Sequence, residues 1–400
     1  MAMDQKTAFI AVFCSALQQR PMPMIPMELW ADVLAMADRQ NVYAMISEKM
    51  AEMPVFCAWE QYERVLQKAV RYTLTQEKRE ARLLWLLGKM QEAGLHPLVM
   101  KGMACRAAYG ETGRLRPSGD EDLLISSREF SAAWNVLEAC GYKAVAKAKP
   151  AHAEKVHHVL FEDENGNMLE LHVRPIGLGN AVFRQMDAYF DGAHGRAVPM
   201  MWKGRTVFTL CPTDHYLLLI FHLVKHFYSL GFGIRPLADL AVYYTRYAGE
   251  IRQEEVYTAL EACHLMPLYR DLVFIANRYL GFSLPEKGSA LCPEELLAFM
   301  LDGGVLGKRN STAVVASVMT KSSIEADHHP VKALWRMVFP PRENLLQAHP
   351  AYADLPLKWL LLYPRRWIRG AKMMLGKTTP LRSLKSSRER LQFLRRYGMG

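Results

Sequence analysis

The stretch PLVMKGMACRAAYGETGRLRPSGDEDLLIS, residues 97–126, decides how this chain is read. It opens on a short apolar run, 97–100, followed at once by Lys101-Gly102. A small-residue helix over 103–109 comes next. The loop GETGRLRPSG follows, its Gly, Pro and Ser breaking regular structure. A strand over 120–125 closes the stretch, headed by Asp120 and Asp122. Side chains two apart on a strand share a face, so the two carboxylates point together. Paired carboxylates suit a hard divalent cation, Mg²⁺ or Mn²⁺.

Outward on the C-terminal side, Ser126 and Glu129 read as a capping box for a helix running to about Cys140. Short strands are predicted at 142–146, 156–162 and 167–173, with a hairpin turn at Glu164-Asn165-Gly166-Asn167. Glu170 and His172 lie two apart in the last of these, in MLELHV. Glu170 is the natural third acid for two metals that clamp an in-line displacement at phosphorus. His172 is placed to orient Glu170 or to contact substrate. Lys101, Gly102, Arg114 and Arg116 fit a phosphate-binding turn: the glycine admits backbone, the next helix offers free N–H groups, and the cations neutralise phosphate oxygens. A second hairpin is predicted at Lys203-Gly204, ending near Leu210.

Residues 1–93 read as helical, with Gly94 as the stop of ARLLWLLGKMQEAGL. From Pro212 the pattern is helical again, with Thr213 expected as an N-cap. Further helices are expected near 235–247, 253–281, 293–302, 330–338 and 355–375. The predicted fold class is α+β, a mixed sheet with flanking helices. Its expected divisions are an N-terminal helical region (1–93), the α+β domain (94–210), a C-terminal helical domain (211–375) and a basic tail (376–400).

The order strand, Lys-Gly, helix, R-P-x-x-D-x-D resembles a bacterial family of uncharacterised nucleotidyltransferases within the DNA polymerase beta-like superfamily. The positions that carry the resemblance are Lys101, Gly102, Tyr109, Arg116, Pro117, Asp120 and Asp122, with Glu170-Leu171-His172 as the later acidic-Leu-His element. LCPTDHYLLLIFHLVKH and GIRPLADLAVY resemble the family's helices after the sheet, giving His222, Arg235 and Asp239. The resemblance covers most of residues 80–370. It implies an enzyme that moves a nucleoside monophosphate from an NTP, ATP being the expected donor, onto an acceptor hydroxyl. Asp120, Asp122 and Glu170 would hold the metal, and one of them or His172 would help take the acceptor's proton. Two positions depart from the pattern. Glu121 stands where the family has an apolar residue, which requires either an exposed strand start or pairing with an arginine such as Arg114. Glu170 stands where the third acid is more often Asp.

Other features weigh less. His222 and His226 have the spacing of a zinc pair, but Leu223 follows His222 and no third ligand is evident, so a helix-face pair near the nucleotide or core is expected. Arg235 and Asp239 have the spacing to pair across a helical turn. His157-His158 and His328-His329 show no ligand spacing. The seven cysteines are odd in number, widely spaced and without a CxxC, which fits buried thiols and a cytoplasmic setting. Asp4 precedes the first apolar run, which reads as a helix and not a signal peptide. No apolar run is long enough to span a membrane. Residues 351–400 hold 12 Lys and Arg against Asp354 and Glu389, so the net charge of +10 belongs to this segment. The tail is a candidate for contact with an anionic membrane surface or nucleic acid, weighed against a solvated helix face. The composition names no acceptor; a small molecule, a protein side chain or an RNA end all remain open. It also leaves open a nucleotide-binding scaffold without turnover.

Overall fold

The computed structural model describes residues 3–145, 157–177, 181–229, 231–303, 357–374 and 391–399, with isolated positions between 332 and 345. It is an α+β fold: a mixed seven-stranded sheet between helical layers. The predicted helix 330–338 and residues 376–390 of the tail fall largely outside the described residues.

Four helices come first: α1 (Gln5–Leu17), α2 (Trp30–Arg39), α3 (Tyr43–Ala51) and α4 (Tyr62–Glu92). Gly94 ends the last of them in a left-handed turn, φ 73°, while Leu95 N–H donates back to the Met90 carbonyl at 2.9 Å. The sheet strands are β1 (Leu98–Met100), β2 (Asp120–Leu124), β3 (Lys143–Ala144), β4 (His158–Glu162), β5 (Met168–His172), β6 (Val198–Trp202) and β7 (Arg205–Thr209). Their order is β3-β4-β5-β2-β1-β7-β6. β2–β5 and β1–β7 are parallel, the other pairs antiparallel. Parallel neighbours need a crossover. For β2 and β5 it contains α6 (Phe130–Ala139), whose N-cap is Glu129 and not the expected Ser126; the two side chains meet in the preceding turn, where Ser126 Oγ donates to Glu129 Oε2 at 2.5 Å and accepts from Glu129 N–H at 3.3 Å.

The two hairpins turn where the sequence places them. Gly166 has φ 75°, and Asp163 Oδ1 accepts from Asn165 and Asn167 N–H, both at 2.9 Å. Lys203 and Gly204 both have positive φ, 46° and 76°, as a tight two-residue turn demands.

Period-two alternation sorts the strand residues onto two faces. Val99, Leu123, Leu169 and Leu171 pack against Leu83, Leu87 and Met90 of α4 and Phe130, Trp134 and Leu137 of α6. Leu98, Met100 and Leu124 face the other way, into a core shared with α5 (Gly102–Ala108), α8 (Pro212–Tyr228), α9 (Ile234–Tyr247) and α11 (Met266–Leu280). Phe9, Phe13 and Trp30 of the N-terminal helices lie in this same core. Gln40 ties the two helical regions together: its Nε2 donates to the Met300 carbonyl at 2.9 Å and its Oε1 accepts from Ile234 N–H at 2.9 Å.

Several expectations need correction. α7 (Ala181–Ala188) was not predicted. Pro212, not Thr213, opens α8, following Cys211; Thr213 Oγ1 instead accepts from Arg252 N–H at 2.9 Å. The single helix predicted over 253–281 is two, α10 (Gln253–Ala262) and α11, because His264 takes a positive φ of 56° and Pro267 sits in the first turn of the second. After α12 (Pro293–Asp302) and α13 (Leu362–Met374), the basic tail is not ragged throughout. Leu394, Tyr397 and Met399 are buried. Tyr397 OH donates to Asp271 Oδ2 at 2.7 Å, and Tyr228 OH donates to the Met399 carbonyl at 2.9 Å. Tyr397→Ala should therefore cost about 3–5 kcal/mol of unfolding free energy in a denaturant titration, the loss typical of a buried aromatic. A solvated terminus would lose almost nothing.

Candidate active site

The sheet register builds a grid on the face toward α5 and α8. Asp122 of β2 stands directly opposite Glu170 of β5, and Leu124 opposite His172. One strand further, His158 of β4 stands opposite His172. Asp120 lies two residues before Asp122, on the same face. The acids thus line one end of this face, and two imidazoles occupy the adjoining row.

Hydrogen bonds knit the grid. His172 Nε2 lies 2.9 Å from Asp122 Oδ1 and 3.0 Å from Glu170 Oε2. Lys101 Nζ lies 2.6 Å from Asp122 Oδ1 and 3.4 Å from His222 Nε2. His158 Nε2 lies 3.5 Å from Glu170 Oε1. Burial opposes the charges on Lys101 and His172, yet the surrounding carboxylates hold both pKa values above their ordinary ranges. Burial likewise opposes the charge on Asp122 and Glu170, but Lys101 and His172 keep these acids below the usual carboxylate range. Asp120 differs. Loss of hydration, then repulsion from Asp122 and Glu170, pushes it up to about 6. Among the described residues it forms no ion pair.

Lys101 is held in an unusual backbone conformation, φ 45° and ψ −98°, costing on the order of 1–3 kcal/mol. His215 of α8 stabilises it: its Nε2 accepts Lys101 N–H at 3.0 Å. Burial keeps His215 neutral, its pKa down at about 3, which leaves that nitrogen able to accept. Gly102 also meets a packing need. A Cβ there would stand 2.7 Å from Glu121 Oε2, so the glycine makes room for a buried carboxylate behind the turn.

Glu121 faces away from the acids. It is buried and paired with Arg106, not Arg114: Arg106 Nη2 donates to Glu121 Oε1 at 3.0 Å, and Ser118 Oγ donates to the same oxygen at 2.9 Å. Gln76 and Glu80 of α4 complete the network through Ser118 N–H at 2.8 Å and Arg106 Nε at 3.3 Å. Arg114 lies on the outside, paired with Glu48, and is not brought to the acids. Arg116 is also turned away, into a buried fork. Its Nε and Nη2 donate to Asp239 Oδ1 and Oδ2 at 2.9 and 2.8 Å. Tyr109 OH adds a bond to Asp239 Oδ1 at 3.0 Å. Arg235 sits 3.9 Å from Asp239 and donates through Nη1 to the Pro117 carbonyl at 2.7 Å. Arg116, Arg235 and Asp239 therefore clamp the loop before β2 onto α9 and do not line the grid.

α8 supplies the opposite wall. His222 and His226 are 3.2 Å apart, and Lys225 Nζ lies 3.4 Å from His157 Nε2. Burial, reinforced by Lys101, brings Lys225 down to about 8. Sequence reading missed Lys225, His157, His158 and His215. Lys225 stands three residues after His222, one helical turn along the same face, and that spacing was the available signal.

A model of the uncharacterised nucleotidyltransferase family matches residues 26–281, from before α2 to the end of α11. The chain belongs to that family. No curated protein and no solved structure matches it. The match spans the sheet residues of the grid and the helices α8 and α9 that face it.

His172 gives a pH test of the grid in metal-free protein. Its folded pKa is raised, so its stabilising effect is complete below the ordinary value of about 6.5 and fades as pH rises through the folded value. His172→Gln should therefore destabilise more at about pH 6 than at about pH 9 in paired denaturant titrations. A cost independent of pH would mean that this ring holds no proton between the two acids.

Proposed function

We propose that this nucleotidyltransferase-family protein moves a nucleoside monophosphate from an NTP, ATP being the expected donor, onto an acceptor hydroxyl, with release of pyrophosphate. The observation that carries the reading is the register that sets Asp122 against Glu170, with Asp120 beside them and the Lys101 turn overhead. The donor set fits Mg²⁺ or Mn²⁺: three carboxylates on one sheet face are hard oxygen ligands. When bound, the ions would stabilise the attacking and leaving oxygens of the displacement.

The chain's own residues do the rest. Lys101, at the mouth of α5, neutralises a non-bridging phosphate oxygen as negative charge builds. Lys225 and His222 on α8 receive the departing pyrophosphate. Asp120, the one acid of the three that forms no ion pair among the described residues, accepts the proton of the acceptor hydroxyl. The acceptor oxygen bonds to the α-phosphorus, and the bond from that phosphorus to the bridging oxygen of pyrophosphate breaks. His172 orients Asp122 and Glu170 during the reaction. The acceptor hydroxyl belongs to a small molecule, a protein side chain or an RNA end.

A second reading, a nucleotide-binding scaffold without turnover, is favoured by one feature. Two internal cations, Lys101 and His172, already occupy the acids. Calorimetry separates the readings: a scaffold binds nucleotide without metal and turns over no acceptor.

For transfer, labelled ATP, Mg²⁺ and an acceptor pool should yield pyrophosphate and a labelled product. Asp122→Asn should reduce the rate at least about a hundredfold in protein that circular dichroism shows to be folded at the assay temperature. Undiminished transfer by Asp122→Asn would remove the sheet face from the chemistry.

A further inference from the structure

We propose that His158, Glu170 and His172 form a site for a borderline transition-metal ion of the Zn²⁺ or Co²⁺ class, distinct in chemistry from the carboxylate site beside it. The three side chains offer ligand atoms that all lie within 4.8 Å of one another. His158 and His172 are cross-strand partners on β4 and β5, and Glu170 is two residues from His172 on the same face, so backbone register alone assembles the set. His158 Nε2 stands 3.5 Å from one Glu170 oxygen and His172 Nε2 3.0 Å from the other. Such separations suit ligands about 2 Å from a shared ion.

The hydrogen bonds on the far side of each ring supply a second, independent argument. His172 Nδ1 lies 3.2 Å from the Arg174 carbonyl, which can only accept. That ring therefore carries its proton on Nδ1 and presents Nε2 to the acids as a ligand when neutral. His158 Nδ1 lies 2.5 Å from His157 Nε2, and His157 Nε2 is also approached by Lys225 Nζ at 3.4 Å. In the tautomer in which His158 Nδ1 donates to His157 Nε2, His158 leaves its own Nε2 free toward Glu170. Both rings turn Nε2 toward Glu170, and His172 gives up the Nε2 proton it shares with the acids when an ion binds; each ring has a partner behind it, as metal-binding histidines do. Burial keeps His158 unprotonated, with its pKa down at about 4.

Two imidazoles and one carboxylate leave coordination positions open, the pattern of sites that bind substrate or water on the ion. Imidazole discriminates against Mg²⁺, which takes oxygen donors and keeps its waters. This site shares Glu170 with the transfer reaction proposed above but does not depend on it, since ion binding is measured without nucleotide.

The test is titration of the full chain with Co²⁺ alone, followed by visible ligand-field absorption and by calorimetry. One Co²⁺ per chain should bind and resist a large excess of Mg²⁺. His158→Gln should weaken Co²⁺ at least about tenfold and change the spectrum. His157→Phe, which keeps all three ligands and removes the partner behind His158 together with the Lys225 contact, should weaken it as well. Circular dichroism melts identify any variant that fails to fold, and the other variant then carries the comparison. The proposal is overturned if Co²⁺ affinity and spectrum are unchanged in both folded variants. It is equally overturned if equimolar Mg²⁺ displaces the ion, or if near-ultraviolet thiolate bands place it on cysteine. The labelled-ATP assay fails or succeeds separately, through Asp122→Asn.

Discussion

The pairing of β2 with β5 is the constraint on which the site depends. A parallel register that sets Asp122 against Glu170 places two like charges on neighbouring strands, an arrangement that costs energy unless cations intervene. Here Lys101 and His172 intervene, each within 3.0 Å of a carboxylate oxygen. The sheet core beneath is apolar, so the register cannot slip: a shift by one residue would bury the acids among Leu83, Leu87 and Trp134 and expose Leu123 and Leu171. The hydrophobic pattern that folds the sheet is thus the same pattern that concentrates charge on its other face.

Behind the acids, a second polar layer supports the first. Glu121 lies between Asp120 and Asp122, so alternation drives it to the buried face. The chain meets that with Arg106 from α5, Ser118 from the loop, and Gln76 and Glu80 from α4. Buried charges are tolerated only when paired and hydrogen-bonded. The consequence is a rigid junction between the Lys101 turn, the carboxylate strand and the long helix, with Gly102 cut down to fit. The clamp of Arg116 on Asp239 does the same between this loop and α9.

Much of this was legible in the chain itself. Period-two alternation put Asp120, Asp122, Glu170 and His172 on common faces, and Asn165-Gly166 and Lys203-Gly204 announced their turns, because both signals are local. Partner choice was not local. Which arginine meets Glu121 depends on how α4 lies across the sheet, and Arg106 hides in a run of small residues that reads only as helix. His158 gains meaning through its cross-strand neighbour, and no spacing within one strand encodes that. The phosphate role expected for Arg114 and Arg116 rested on proximity in sequence, whereas the loop between them and β2 turns one to the surface and the other into the core. The break at His264 did leave a trace, Pro267, that a periodicity scan passes over.

The backbone of Lys101 has one further consequence. Its positive φ is a conformation that glycine adopts without penalty and lysine does not. Replacement by glycine would relax the turn, yet it would also strip away the ammonium that sits on Asp122. At this position robustness and chemistry pull in opposite directions. A search for hardier variants of the protein would be drawn to the very substitution that empties the turn of its charge.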